Sequence, residues 1–275
     1  IDHINASIAL YKYLGRDQLP NECPSTFDSI KVGPLTLRNR FIKAATNEGM
    51  AKNGVVTKGL AQFHGRMAEG GTASSTVAYC ATSLDGRTFI DQVTMNRESL
   101  PDLKGLTNAV HKHGGAISAQ LTHAGSFTFL SKTELETSKP LSSSGGFNKV
   151  GVLSNRFFKQ AMNRTDMDDM VQQFVSAALL AKEAGFDAVE LQMGHGYLLS
   201  QYISPIYNKR NDAYGGTIER RMKVPNEVLS RVLDAVGKDL AVLVKYSMAD
   251  GTEKGNSIED GIAVAKSIEA TGAQM

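Results

Sequence analysis

Cysteine is scarce in this chain: Cys23 and Cys80 are the only two among 275 residues, far apart and without C-x-x-C or metal-ligand spacing. That pattern argues against a disulfide framework or a structural zinc site and fits a reducing, cytoplasmic compartment. Charge of one sign is equally scarce. A net charge of +2 gives no electrostatic ground for a nucleic-acid or membrane-surface partner. No run approaches the ~18–20 apolar residues of a membrane span, and the chain opens at Ile1 without the basic start and apolar core of a signal peptide. There is no G-x-G-x-x-G after a strand, so no Rossmann site for a tightly held dinucleotide is expected. With 41% hydrophobic and 21% charged residues, the composition is that of an ordinary soluble globular chain.

What is present is an alternation of strands and helices. Residues 1–26, ending in NECPST, read as a lead-in, and 27–275 as one domain. FDSIKVGPLTLRNR predicts a hairpin about Gly33-Pro34. Strands are expected at Phe41–Thr46, Ser74–Cys80, Ala116–Leu121, Ala188–Gln192 and Ala241–Tyr246. Helices are expected at Lys58–Glu69, from Ser99 to Gly114, and from a Thr165-x-x-Asp168 cap to Gly185, the last with Met170, Phe174, Ala178 and Ala181 on its inner face. Two more follow. One carries Val228, Leu229, Val232 and Val236, with Pro225 calling for a kink or a late start, and one opens with Ser257-x-x-Asp260 and shows Ile258, Ile262, Ala265 and Ile268 at helical spacing. Strand, helix, strand, helix is the pattern of parallel β/α units. Between Ala124 and Thr165 the chain runs for about forty residues rich in Ser, Lys and Gly, far beyond the ~4–6 residue median for a connection. It reads either as a loose surface insert or as a lid over the strand ends.

The chemistry gathers after the fourth of these strands. A Gly-flanked loop there crowds Gln192, His195 and Tyr197 at one strand end, the place where β/α barrels assemble active sites. A lone His beside Gly is by itself more often a loop residue than a catalyst. Lys245, inside the apolar run AVLVKYS, is costly unless something polar meets it or its stem carries the charge to water.

The succession HGYLLSQ, SP, NKR, D-x-YGG and the Arg of E-R-R, together with QLTHAG earlier, resembles the Old Yellow Enzyme family of FMN-dependent oxidoreductases. The resemblance implies a TIM-type (β/α)8 barrel, FMN as cofactor, NADH or NADPH as transient hydride donor, and a small enone-type substrate whose C=C bond is reduced. Carried over by motif, Gln192 and His195 bind the substrate carbonyl oxygen and Tyr197 donates the proton. Ala45, Thr46 and Asn47 lie against the flavin, Gln120 meets its pyrimidine edge, and Lys245 stands near N1 and O2. Three positions depart from the family: Gln192 in place of His or Asn, Lys245 in place of Arg, and Ala45 where Pro is commoner. An amide still donates N–H to an oxyanion but cannot become cationic. Lys stabilises an anion without a bidentate fork. Only five strands are found where a closed barrel has eight, so the barrel reads as incomplete, with its fifth strand an unpaired edge and without the family's phosphate-binding loops. Weak FMN binding is the expectation. A dienoyl-CoA reductase with an iron–sulphur site and a truncated, non-catalytic paralogue remain open as alternatives.

Overall fold

The computed structural model describes residues 25–131, 133–134 and 139–275. The lead-in expected at 1–26 lies outside these but for its last two residues, and Cys23 lies outside them altogether. The predicted hairpin is present: β1 (Ile30–Val32) and β2 (Leu35–Leu37) pair antiparallel. Next along the chain come β3 (Ile42–Lys43), α1 (Lys58–Glu69), β4 (Ser74–Ala81), α2 (Leu100–His111) and β5 (Ala116–Thr122). A small sheet then forms from β6 (Leu141–Ser142), β7 (Gly146–Phe147) and β8 (Phe158–Ala161). The chain continues through α3 (Arg164–Ala184), β9 (Ala188–Met193), α4 (Leu198–Ile203), α5 (Ile218–Arg221), α6 (Lys223–Val236), β10 (Ala241–Tyr246) and α7 (Ile258–Thr271).

The main sheet has five parallel strands in the order β10-β9-β5-β4-β3. Strands buried on both faces need continuous small, β-branched or apolar sequence, and all eight residues of β4 are buried. Helix residues including Leu103, Val110, Phe174, Ala178, Val228 and Val232 join strand residues Val77, Ile117, Val189 and Val242 in one core. A second, smaller core lies at the amino ends of the strands, where Val32 and Leu37 of the hairpin pack with Ala73, Ala188 and Ala241. The hairpin therefore closes that end of the sheet, and the opposite end is left for function.

Several expectations are corrected. Strand β3 is only two residues long rather than Phe41–Thr46. The Lys43 ammonium turns to Thr76 O (3.0 Å) and pairs with Glu48, and the chain regains the sheet at a single bridge between Asn47 and Ala78. The long helix is capped by Asn163, not at Thr165: Asn163 Oδ1 accepts from Asp166 N–H (3.0 Å) and Asp166 Oδ2 accepts from Asn163 N–H (2.8 Å). Two such boxes overlap in the sequence two residues apart, and the upstream one starts the helix. The expected inner face is buried, and Gly185 at φ 87° ends the helix in the left-handed conformation that a Cβ disfavours. Pro225 gives the late start: α6 begins at Lys223 after the short α5, and a third-position proline lacks an N–H that has no helical acceptor anyway. Ile258, at the first position of α7, is exposed rather than buried.

The fifth strand is not bare. Gln274 N–H donates to Val242 O (2.9 Å), Val244 N–H to Met275 O (2.9 Å), and Gln274 Oε1 accepts from Val242 N–H (2.9 Å). The described residues of the segment between β5 and α3 pack against the domain rather than forming a loose insert, since Ser142, Ser143, Asn148, Arg156 and Met162 are buried.

The capping geometry yields a test. Asn163→Ala is expected to cost about 1 kcal/mol, the usual value of an N-cap, whereas Thr165→Ala, at an exposed site, changes stability little. Urea unfolding midpoints of the two variants check the assignment.

Candidate active site

Because all five strands of the main sheet are parallel, their carboxyl ends share one rim. Register places Gln120 of β5 opposite Glu190 of β9, and Lys245 of β10 opposite Gln192 of β9. Gln120 Nε2 donates to Glu190 Oε1 at 2.6 Å. Burial raises the Glu190 pKa, opposed by the Gln120 hydrogen bond and by the charges of Lys245 and Lys43. Lys245 lies where β10 leaves the core, half-buried after the fully buried Ala241, Val242 and Leu243. Among the described residues it makes no ion pair, and its charge bears on Glu190 and His195.

Gln192 is 2% exposed. Its Oε1 accepts from Gly194 N–H (2.9 Å) and its Nε2 lies 3.2 Å from His195 Nδ1. His195 is exposed at φ 60°, a left-handed backbone conformation costing a non-glycine residue roughly 1–2 kcal/mol. Its N–H donates to Ser247 Oγ (3.2 Å) after β10. Burial, and then Lys245, lower the His195 pKa, which favours a neutral ring at pH 7. Tyr197 sits at the N-cap of α4, its ring 5.2 Å from that of Tyr79 and 5.5 Å from that of Phe127. Burial and the Tyr79 hydroxyl push its pKa upward, so it keeps its proton.

Beyond β3 the chain presents half-buried Ala45 and exposed Thr46 and Asn47 on the same rim. Asn47, Ala78, Tyr79, Phe89 and Gln92 line a cleft of about 180 Å³. Tyr79 thus links this side of the rim to Tyr197. Behind it Glu48 pairs with Lys43, its Oε2 accepts from Ala78 N–H (3.1 Å), and His64 Nε2 stands 3.4 Å from Oε1. The structure brings Gln120, Gln192, His195, Tyr197 and Lys245 together across β5, β9 and β10. It links Asn47 to them through Tyr79, and leaves Ala45 and Thr46 on the rim without a side-chain bond to the rest. Donors from Lys245, Gln120 and His195, with the aromatic rings of Tyr79 and Tyr197 beside them, suit a planar, electron-accepting group such as a flavin ring.

Sequence reasoning missed Glu190, Glu48 and Gln201. The signal for Glu190 was the same as for Lys245, a charge inside a buried run (AVEL). Gln201, within HGYLLSQ, is fully buried: Nε2 donates to Gly196 O (2.7 Å) and Ala124 O (3.1 Å), and Oε1 accepts from Ser142 Oγ (2.8 Å) and Ser126 N–H (3.2 Å). It ties the His195 loop to the segment between β5 and α3. Arg210 donates to Ser143 O and Met162 O (both 2.9 Å), and Arg221 to Ile203 O and Asn256 Oδ1. Much of the motif therefore holds loops in place.

Removal of Glu48 is informative. Burial pushes its pKa up, and the hydrogen bonds of His64 and Lys43 bring it below the ordinary 4.5. Its ionised form thus contributes stability that is full above 4.5 and is lost as pH falls below it. Glu48→Gln is expected to cost roughly 3–5 kcal/mol at pH 7, as for breaking a buried pair, with a gap that narrows below pH 4.5. Denaturation at a series of pH values measures it.

Residues 25–275 match the model of the NADH:flavin oxidoreductase / NADH oxidase family. The chain is 42% identical over 255 residues to a 4,4'-dithiodibutanoate disulfide reductase of Rhodococcus erythropolis, covering 90% of this chain and 60% of that protein. It is 32% identical to an NADH oxidase of Thermoanaerobacter brockii, covering 90% of this chain and 38% of that protein. Among solved structures, Old Yellow Enzyme from Pichia sp. AKU4542 superposes with a TM-score of 0.79 at 28% identity, over 88% of this chain and 65% of that one. The main sheet is accordingly five strands of an incomplete (β/α)8 barrel. The chain spans less than two thirds of the length of either of the first two relatives.

Proposed function

Because the chain belongs to the NADH:flavin oxidoreductase / NADH oxidase family, we propose that residues 27–275 bind FMN at the strand rim and reduce the activated C=C bond of a small enone-type substrate. The observation that carries this reading is the convergence of Gln120, Gln192, His195 and Lys245 on one rim beside the protonated Tyr197. The chemistry that FMN supplies when bound is hydride transfer, from NADH or NADPH to the substrate β-carbon. Lys245 would set a positive charge against the negative charge that a bound flavin gains on reduction, and Gln120 would offer the rest of its amide to the pyrimidine edge. Ala45, Thr46 and Asn47 form the wall at the far side. His195 donates N–H to the substrate carbonyl oxygen, with a remaining N–H of Gln192 beside it, and so stabilises the developing oxyanion. Tyr197, held protonated by burial, delivers the proton to the α-carbon.

A second substrate class, a disulfide, is favoured by one observation, the 42% identity to the Rhodococcus disulfide reductase. The relatives named above support an enzyme rather than a non-catalytic paralogue, and none of them supports the dienoyl-CoA alternative. No helix of the described residues is long and apolar enough to cross a membrane.

With FMN at saturation, the protein is expected to oxidise NADH or NADPH in the presence of 2-cyclohexenone. His195→Ala should slow the enone step by about 10²–10³-fold, the range for lost oxyanion donors, and should spare flavin reduction by the nicotinamide. Stopped-flow measurement of the two half-reactions separates these steps. Turnover of 4,4'-dithiodibutanoate without turnover of the enone would transfer the site to the second reading.

A further inference from the structure

The hydrogen bonds around Gln192 fix more than its own position. A backbone N–H can only donate, so the Gln192 atom 2.9 Å from Gly194 N is the carboxamide oxygen. This settles the orientation of the amide, which its shape alone leaves ambiguous. The atom 3.2 Å from His195 Nδ1 is then the NH₂ group, also a pure donor. Nδ1 must therefore present a lone pair, and a neutral imidazole with a lone pair on Nδ1 carries its proton on Nε2.

We infer that Gln192 is a positioning residue whose carboxamide locks His195 as the neutral Nε2–H tautomer, so that the ring offers the substrate one fixed donor. A cationic ring would set an Nδ1–H against the amide N–H, two donors without an acceptor between them. The backbone is built for this arrangement. A Cβ on Gly194 would stand 3.3 Å from Gln192 Oε1 and 3.1 Å from Ser247 Oγ, tighter than ordinary contact, so a glycine lets the turn close on the amide. Ser247 then takes the His195 N–H and holds the residue at its positive φ. From β10, the charge of Lys245 bears on the ring and opposes a second positive charge; Glu190, one layer down β9, is engaged by Gln120. A titratable side chain at 192 would exchange donor and acceptor roles with the ring as pH changed, and a carboxamide does not. One amide N–H of Gln192 is spent on His195 and its oxygen on Gly194, which leaves a single N–H for a ligand.

The inference deepens the proposed function and rests on it for the identity of what His195 binds, but the tautomer is measured without turnover. Two-bond ¹H–¹⁵N correlation spectra of histidine-labelled protein, with the His195 signals identified by their loss in His195→Gln, report which nitrogen carries the proton. The unaltered protein is expected to show protonated Nε2 and unprotonated Nδ1 at neutral pH. Gln192→Leu should give a mixture of tautomers. Gln192→Glu, which offers an acceptor to Nδ1, should raise the His195 titration midpoint by about 1–3 units, as an adjacent opposite charge does. A protonated Nδ1 in the unaltered protein overturns the inference even if neither variant folds, and so does a Gln192→Leu spectrum identical to it. An Nε2–H tautomer in a protein that reduces no enone leaves this inference standing and removes the substrate reading alone.

Discussion

The register of β9 between its two neighbours is the constraint on which the candidate site depends. Side chains alternate along a strand, so a slip of one residue would turn Glu190 and Gln192 from the rim side into the helix layer and bring Val189 and Leu191 out of the core. In the observed register Glu190 meets Gln120 on one side, and Gln192 stands level with Lys245 on the other. The apolar residues of the same strand hold that register, since Val189 and Leu191 are fully buried among helix side chains. Burial of one face thus positions the chemistry of the other.

Charge within this framework is kept where it meets a partner. Glu48 has Lys43, His64 and a backbone N–H, and Glu190 has an amide donor and two cations nearby. Lys245 is the exception at the rim, bearing on its surroundings without an ion pair among the described residues. A charge of this kind, at the strand end beside a neutral His, is available to an incoming group. Around it the polar residues with the most complete bonding, Gln201, Arg210 and Arg221, act on backbone carbonyls and loops. They give the packed residues between β5 and α3 and a left-handed turn a defined place, which a catalytic arrangement requires to within a fraction of an ångström.

Element types and much of their extent were legible in the chain because they follow from local pattern. The 12 residues of α1 were readable end to end, as were the Ser257 capping box and the glycine at 185. Charge inside an apolar run flagged Lys245, and the motifs about His195 flagged the loop. Local pattern was not enough where two equivalent signals overlapped. Asn163 and Thr165 both precede an acid by three residues, and only the structure shows that Asn163 is the cap. It was not enough for β3 either, where Lys43 turns to the carbonyl of Thr76, a residue distant in sequence, as well as to nearby Glu48.

The sequence by itself determined that parallel β/α units are present, and that an amide, a histidine and a tyrosine crowd the end of one strand, because hydrophobic period and motif spacing are properties of contiguous residues. Tertiary structure alone decided that Glu190 engages Gln120 and that Tyr79 reaches Tyr197. It also decided that the described residues of the segment between β5 and α3 are packed, and that the Gln192 amide turns its oxygen to Gly194 and its nitrogen to His195. Each of these depends on strand register or on the path of a loop through space, and a linear pattern carries neither.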